Sequence, residues 1–272
     1  MTRRVLVTGA AGSVGSALVP GLSSLGWALR LLDRDLLPEL PAGAETVRGN
    51  ALDPAVLDRA CSGVDAIVHL AAIPHETDFA DIVESHVHGT YQLLEVARRA
   101  GVRRVVLASS NHAVGFTPRA DQVGIDMRPR PDGYYGVGKA ATEALGSLYV
   151  DRHGLRVACL RIGSFLDRPT TRRHLSTWLS PGDLVRLVHA CLTADDLRYA
   201  VVYGISANTR GWWDHAPGRA LGYQPQDDAE AYAAEILAAT PEPAREDPDE
   251  ALLGGHFAAP AYDWSAAGEA AR

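Results

Sequence analysis

Short apolar runs alternate with longer amphipathic stretches along the first two-thirds of the chain. The short runs are rich in β-branched residues and predict strands at Arg4–Thr8, Ala28–Asp33, Glu45–Gly49, Ala66–Leu70, Arg104–Ser109 and Arg156–Ile162. Between them, apolar residues recur with helical spacing and predict helices over Ser13–Leu25, Pro54–Cys61, Phe79–Ala100 and Tyr134–His153. Continuous apolar strands that alternate with helices are typical of a parallel sheet covered on both faces. The predicted fold class is therefore α/β, with a doubly wound parallel sheet.

The last third of the chain is less regular. Further helices are predicted over Ser180–Thr193 and Ala229–Ala239, and one more strand over Val201–Tyr203. The stretch Thr240–Glu250 is rich in proline and acidic residues, which is typical of an exposed connector. Pro20 lies inside the first predicted helix and removes a backbone hydrogen bond there, so we expect either a kink or a different boundary.

Composition narrows the class of protein. Of the 272 residues, 47% are apolar and 22% are charged, which favours a folded chain with a sizeable core. The formal net charge of −7 disfavours general binding to nucleic acid or to an anionic membrane, because both need a basic face. No uncharged apolar run reaches the roughly 18 residues that cross a bilayer. The first residues carry no signal-peptide pattern.

The cysteines and histidines bear on the cellular compartment and on metal binding. Cys61, Cys159 and Cys191 are few and include no CxxC spacing, which disfavours a disulfide scaffold and a cysteine-based zinc site. His86 and His88 are two residues apart, a spacing that does not give a helical ligand pair, so no metal site is expected. We therefore expect a cytoplasmic protein without a bound metal.

A glycine pattern follows the first predicted strand. Gly9, Gly12 and Gly15 form GxxGxxG directly before a helix, where glycines permit a tight turn and a close approach of backbone N–H groups to a pyrophosphate. Asp33 ends the second predicted strand 18 residues beyond Gly15, where an acid accepts hydrogen bonds from an adenosine ribose and repels a 2′-phosphate. An acid at this position favours NAD over NADP, although Arg34, the next residue in the chain, weakens that discrimination. The alternative is a glycine-rich turn without a ligand.

A second motif begins a later predicted helix. Tyr135 and Lys139 are four residues apart and share one helix face. A free tyrosine has a pKa of about 10, and a nearby ammonium group lowers it, so that the phenolate can take a proton from a substrate hydroxyl. Ser109-Ser110-Asn111 ends a strand upstream, at the sheet edge where α/β proteins bind ligands. Alone, the pair is as readily interpreted as two surface residues.

Together these features resemble the short-chain dehydrogenase/reductase superfamily, of the extended type related to sugar epimerases and dehydratases, over roughly residues 3–205. Further motifs resemble the uronate dehydrogenase family over nearly the whole chain: SSNHAVG at 109–115, YGVGK at 135–139, RIGS at 161–164, RHLSTW at 173–178, GWWD at 211–214 and GGHF at 254–257. The resemblance implies one Rossmann-type domain over residues 1–272. Its small C-terminal substrate-binding region would lie within about 165–180 and 204–272.

The resemblance implies oxidation of cyclic D-glucuronate or D-galacturonate at C1, with NAD as cofactor, a small sugar acid as partner and an aldarolactone as product. It implies that Tyr135 is the base, that Lys139 tunes it and holds the nicotinamide ribose, and that Ser110 belongs to the catalytic set. Asn111, His112 and Ser164 would contact the sugar, and Arg173 would bind the carboxylate. The implied cofactor-binding residues are Gly9, Gly12, Ser13, Val14, Gly15, Asp33, Asn50, Ala51, Leu70, Ala71, Ala72, Lys139 and Phe165.

Some positions depart from the family pattern. Pro74 and His75 stand where a serine that touches the sugar is expected, and His86 stands where many relatives have an asparagine. His112 can also be interpreted as a packed histidine, and Arg173, with its neighbour Arg172, as a solvated loop pair. Trp212 and Trp213 are more typical of packing than of a sugar platform.

Two other functions stay open at this point. One is a nucleotide-sugar epimerase or dehydratase with bound NAD, which the short C-terminal region disfavours. The other is a regulatory protein that binds NAD without turnover, for which loss of Tyr135 or Lys139 would be the natural sign. Extended dehydrogenases commonly pair through the helices predicted at Phe79–Ala100 and Tyr134–His153, so the resemblance also implies a homo-oligomer.

Overall fold

The computed structural model describes residues 3–35, 39–120, 122–241, 244, 247–259 and 262. Four residues of the predicted connector Thr240–Glu250, at positions 242, 243, 245 and 246, lie outside the described residues. So do positions 260, 261 and 263–272 of the predicted substrate-binding region.

A seven-stranded sheet forms the centre of the fold, and all of its neighbouring strands are parallel. Its strands are β1 (Arg4–Thr8), β2 (Ala28–Asp33), β3 (Glu45–Arg48), β4 (Ala66–His69), β5 (Arg104–Ser110), β6 (Arg156–Ile162) and β9 (Tyr199–Gly204). The spatial order is β3-β2-β1-β4-β5-β6-β9. The predicted parallel α/β sheet is confirmed, and the six early strands match their predicted bounds to within one residue. The predicted strand Val201–Tyr203 is the middle of a longer strand.

Helices cover both faces of this sheet. They are α1 (Ser13–Ser24), α2 (Pro54–Cys61), α3 (Phe79–Ile82), α4 (Gly89–Arg99), α5 (Tyr134–His153), α6 (His174–Thr177), α7 (Pro181–Thr193), α8 (Ala216–Ala220), α9 (Ala233–Ala239) and α10 (Pro248–Ala251). Successive strand residues point to opposite faces. Val5 and Val7 therefore pack with Leu18 of α1 and Leu187 of α7, whereas Leu6 packs on the other face with Leu57, Leu93 and Tyr149 of α2, α4 and α5.

Three of the predicted helices have features that the sequence left open or did not predict. Pro20 lies within α1 without ending it, and α1 packs closely on α7: a Cβ on Gly21 would overlap Val185. The stretch predicted as one helix over Phe79–Ala100 is helical up to Arg99, but Val83–His88 forms a π-helical segment between α3 and α4. The helix predicted over Ala229–Ala239 begins as a 3₁₀ turn before α9.

Several short elements were not predicted from the sequence. Strands β7 (Ser164–Phe165) and β8 (Trp178–Leu179) form a small second sheet, and 3₁₀ turns occur at Asn111–Val114 and Gly255–Ala258. Residues 249–258, called the late segment below, are joined by backbone hydrogen bonds to the loop after β5. Gly254 N donates to Gly115 O, and Leu253 N donates to Thr117 O. These contacts carry residues from beyond position 250 to the carboxyl end of β5.

The strand order brings a topological switch to the middle of the sheet. Strand β1 lies between β2 and β4, so the connections that leave β1 and β4 diverge at their carboxyl ends. Open α/β sheets bind ligands in the crevice formed there. Among the described residues, no helix is long and apolar enough to cross a membrane.

Candidate active site

Two adjoining clefts lie at the carboxyl edge of the sheet. The larger has a volume of about 620 Å³ and is lined by the glycine loop after β1, the end of β2 and the loop after β4. The smaller, of about 320 Å³, is lined by the end of β5, the start of α5 and residues near position 257. Ser13, Leu70 and Pro74 line both clefts, which therefore form one continuous depression. The larger is called the cofactor cleft below, and the smaller the sugar cavity.

The glycine loop has the shape that the sequence predicts. Gly9 adopts a φ of 70°, in the left-handed region, and a Cβ there would lie 2.7 Å from Ala71 N. A Cβ on Gly15 would overlap Gly9 O, so the helix packs tightly on the turn. Gly12 is the N-cap of α1 and no side chain caps this end. The first N–H groups of α1 are thereby left for a ligand at the positive end of the helix dipole.

Asp33 lies in this cleft at the end of β2, and its Oδ2 accepts a hydrogen bond from Ala11 N at 2.8 Å. This bond ties the acid to the glycine loop, while Arg34 lines the same cleft. The structure places eleven of the sequence-predicted cofactor residues here: Gly9, Gly12, Ser13, Val14, Gly15, Asp33, Asn50, Ala51, Leu70, Ala71 and Ala72. Lys139 and Phe165 line the sugar cavity instead.

Tyr135 and Lys139 both line the sugar cavity, one turn apart on α5. Lys139 Nζ donates to Ala108 O at 2.9 Å and lies 5.3 Å from the centre of the Tyr135 ring. Burial lowers the pKa of Lys139 to about 8, which leaves it mostly charged at neutral pH. Burial also raises the pKa of Tyr135 to about 12, although a hydrogen bond with Ser110 opposes this shift. The direction is opposite to the lowering expected from the sequence, because desolvation and the nearby Asp132 charge outweigh the hydrogen bond with Ser110.

The end of β5 supplies three polar residues to the cavity. Ser110 Oγ accepts from His112 N at 3.2 Å, and Asn111 Nδ2 donates to Leu253 O at 2.9 Å. His112 Nδ1 lies 2.7 Å from Asp132 Oδ2. Since a carboxylate accepts, Nδ1 carries the proton, and Nε2 of a neutral His112 is left as an acceptor for a hydroxyl.

Arg173 and Ser164 line neither cleft directly. The Arg173 guanidinium donates to the carbonyl oxygens of Asp249, Leu252 and Leu253, the last of which also accepts from Asn111. Arg173 thus lies beside the sugar cavity, behind the late segment. Ser164 Oγ lies 2.8 Å from Thr177 Oγ1.

No role was predicted for several residues that line the sugar cavity, among them Glu76, Asp132, Phe257 and Tyr262. Asp132 is nearly fully buried and its sequence signal was available, since an acid stands three residues before Tyr135. The Phe257 ring lies 4.9 Å from that of His112. No local pattern predicts Glu76, and Phe257 stands in the GGHF motif without a predicted contact, because each meets its partners only across the fold.

The residues that depart from the family pattern lie close to the pair. Pro74 and His75 line both clefts. His86 is buried on the π-helical segment, with its ring edge-on to Tyr135 at 5.4 Å. Its Nε2 donates to Ile73 O at 2.9 Å, and burial lowers its pKa to about 3, so it is a neutral imidazole.

Other polar and aromatic residues of the quoted motifs make contacts within the fold. Arg161 forms a buried pair with Glu143, with both contacts at 2.9 Å, and Ser109 donates to the same carboxylate. Trp212 and Trp213 are buried in a core cluster. Across the described ranges, no group of three or more metal-ligating side chains occurs.

Comparison with known proteins agrees with this geometry. The model of the NAD dependent epimerase/dehydratase family matches residues 5–179. The uronate dehydrogenase of Agrobacterium fabrum is 42% identical over 94% of this chain and 96% of its own. The glucuronic acid dehydrogenase structure from Chromohalobacter salexigens superposes with a TM-score of 0.90 at 38% identity, over 95% of this chain and 97% of that one.

A variant of the Agrobacterium tumefaciens uronate dehydrogenase, in complex with NAD, superposes with a TM-score of 0.89 at 39% identity, over 95% of this chain and 97% of that chain. The chain belongs to the NAD dependent epimerase/dehydratase family. Within that family, three uronate dehydrogenases match 94% of this chain at 38–42% identity, which confirms the resemblance that the motifs carry.

Proposed function

We propose that this chain oxidises free D-glucuronate or D-galacturonate at C1 with NAD and releases an aldarolactone. The observation that carries the proposal is the junction of the two clefts: a dinucleotide cradle opens directly into a cavity that holds Tyr135, Lys139 and Ser110. The names of the relatives support the substrate class. The cavity volume of about 320 Å³ suits a monosaccharide better than a nucleotide sugar, which disfavours the epimerase alternative.

The residues of the cofactor cleft fit NAD. The glycine turn and the uncapped start of α1 suit the pyrophosphate, and Asp33 suits the adenosine ribose. Asn50 and Ala51 would border the adenine, and Leu70, Ala71 and Ala72 would line the path toward the sugar cavity. When bound, NAD⁺ supplies the hydride acceptor and a positive charge beside the reacting carbon.

Tyr135, as the phenolate, takes the proton of the C1 hydroxyl, while the hydrogen on C1 passes as hydride to NAD⁺ and the hemiacetal carbon becomes the lactone carbonyl. Because burial raises the pKa of Tyr135 to about 12, this step needs the Lys139 ammonium and the positive charge of bound NAD⁺ to favour the phenolate. Lys139, charged below a pKa of about 8, stabilises the phenolate. Ser110, hydrogen-bonded to Tyr135, holds the same hydroxyl oxygen.

The remaining polar groups bind the sugar. Asn111 contributes its amide, and His112 accepts a sugar hydroxyl at Nε2 because Asp132 fixes its tautomer. Arg173 grips the carboxylate, in place of the carbonyl oxygens it now holds, and a guanidinium suits that task since it offers two parallel N–H donors. Ser164, on the small second sheet, would contact the sugar beside the nicotinamide, since its chain neighbours Gly163 and Phe165 line the sugar cavity.

Three wider expectations belong to the same proposal. The chain works as one Rossmann-type domain with substrate elements at about 165–180 and 204–272, and it acts in the cytoplasm. It also forms a homo-oligomer through α4 and α5, which expose Tyr91 and Val137 to about 48% and 40% and Leu148 to 52%.

One assay separates the candidate functions. NAD⁺ is mixed with glucuronate, galacturonate, glucose or a UDP-sugar, and NADH absorbance is followed. We expect NADH from the uronates and much less from glucose. A product from the UDP-sugar without net NADH would identify an epimerase instead, and NAD binding without any turnover would identify a regulatory protein.

A further inference from the structure

The helix that carries Tyr135 is capped from far away in the sequence. Glu76, on the loop after β4, accepts hydrogen bonds from Tyr134 N at 2.8 Å and from Tyr135 N at 3.1 Å. Gly133 is the N-cap of α5 and provides no side-chain cap of its own. Glu76 therefore satisfies two of the N–H groups that every helix start leaves open, at the positive end of the helix dipole.

Glu76 and Gly133 fit only as a pair. A Cβ built on Gly133 would overlap Glu76 Oε2, so the carboxylate occupies the volume that a serine or aspartate N-cap side chain would need. The usual N-cap residues satisfy the helix start locally. Here a glycine and a remote acid replace them, and the contact spans 58 residues of sequence.

The position of Glu76 is costly for a carboxylate. It is only 8% exposed, and burial raises its pKa, although the two backbone donors oppose this shift. It lines the sugar cavity beside Asp132 and Tyr135. The loop that bears it also borders the cofactor cleft through Pro74 and His75. Glu76 therefore links the turn that holds Tyr135 to the wall between the two clefts.

We propose that Glu76 is a positioning residue that fixes the first turn of α5, and with it Tyr135, relative to the sugar cavity. The proposal rests on the proposed function, because that function makes Tyr135 the base. Glu76 itself moves no proton: both of its oxygens face backbone N–H groups.

The shared volume permits a reciprocal test with Glu76→Ala, Gly133→Ser and the double variant. Glu76→Ala should lower kcat about ten- to hundredfold at nearly unchanged KM for the uronate, as expected of a misplaced catalytic group. Gly133→Ser alone should also lower kcat, because its side chain meets the carboxylate. In the double variant the serine should cap α5 in the vacated space and recover most of the lost kcat.

Asp78→Ala serves as the matched control, because this acid lies on the same loop, is exposed and makes no side-chain cap. We expect wild-type kcat from it. Rates are normalised to the NAD-binding fraction, so that partial unfolding does not count as lost kcat. A Glu76→Ala kcat within twofold of wild type, or losses that multiply in the double variant, would overturn the proposal.

A second readout does not depend on turnover. The ring signal of Tyr135 in isotope-labelled protein, assigned with Tyr135→Phe, should shift in Glu76→Ala and return in the double variant. An unmoved signal contradicts the positioning role even if the wild type proves inactive on uronates. A wild type without uronate turnover but with the expected signal changes would contradict the proposed function alone.

Discussion

The cofactor cleft and the sugar cavity share a border but are built differently. The cleft is lined by residues between Gly9 and Gly89, and backbone shape governs it: a left-handed glycine, an uncapped helix start and strand ends. The cavity combines residues near positions 75, 110, 135, 163 and 257, and its side chains meet across the fold. The Asn111–Leu253 contact, for instance, spans 142 residues. A ligand site that is formed by local backbone geometry can thus be predicted from the sequence. A site that is formed by side-chain contacts between distant parts of the chain can be predicted only in part.

The sharpest test of this division is Tyr135→Phe. Loss of the hydroxyl removes the proton acceptor, and we expect turnover to fall by about a thousandfold or more. The affinity for NAD, measured by fluorescence or calorimetry, should change by less than about threefold, because the cleft keeps its backbone shape. Residual turnover near the wild-type level would show that Tyr135 is not the base. A large loss of NAD affinity would show that NAD binding in the cofactor cleft depends on a side chain of the sugar cavity.

Arg173→Ala tests the cavity from its far side. If Arg173 grips the carboxylate, its loss should lower kcat/KM for the uronate by about thirtyfold or more, mainly through KM, since a buried charged contact is worth about 2–5 kcal/mol. Arg172→Ala is the matched control, because Arg172 donates to Thr240 O away from the cavity. Equal losses on glucose and on glucuronate would contradict the carboxylate role.

Asp33→Ala is the counterpart in the cofactor cleft. We expect KM for NAD to rise about tenfold, in line with the loss of hydrogen bonds to a charged acceptor. Removal of the carboxylate should also raise the NADP-to-NAD preference, since Arg34 stays in place. KM for the uronate at saturating NAD should stay constant. A change in KM for the uronate would show that the loss of Asp33 in the cofactor cleft also alters the sugar cavity.

The last prediction concerns stability instead of turnover, namely its dependence on pH. The folded pKa of Lys139 is about 8, below its ordinary 10.5, so between these values the unfolded chain binds a proton that the folded chain lacks. This group therefore makes unfolding less favourable as pH rises through that window, by at most about 1.4 kcal/mol per pH unit. Lys139→Met should remove that slope from urea unfolding curves. Parallel wild-type and variant slopes would disprove the burial penalty.

Much of the fold could be predicted because local rules agree with it. The six early strands follow from apolar runs, and the glycine loop follows from residues that only one backbone shape suits. Pro20 could not be placed, because tight packing of α1 on α7 outweighs its lost hydrogen bond. The π-helical segment around His86 also has no periodic signal of its own.

In the candidate site, too, residues in compact motifs could be predicted, whereas features that depend on distant contacts could not. Tyr135, Lys139 and the residues from Ser110 to His112 could be predicted, since they form compact motifs on one helix or at one strand end. The pKa of Tyr135 could not, because desolvation depends on every element packed around the ring. Nor could the shared carbonyl of Leu253, which is recognisable only once Arg173 and Asn111 are seen to converge on it.

The late arrival of Leu253 and Phe257 has a consequence for biosynthesis. Chains emerge from the ribosome at roughly 5–20 residues per second, amino end first. The described residues that line the cofactor cleft all precede position 90, whereas the wall of the sugar cavity formed by Phe257 is translated long after them. The ribosome has therefore released the lining of the dinucleotide cradle before the residues that complete the sugar cavity have been synthesised.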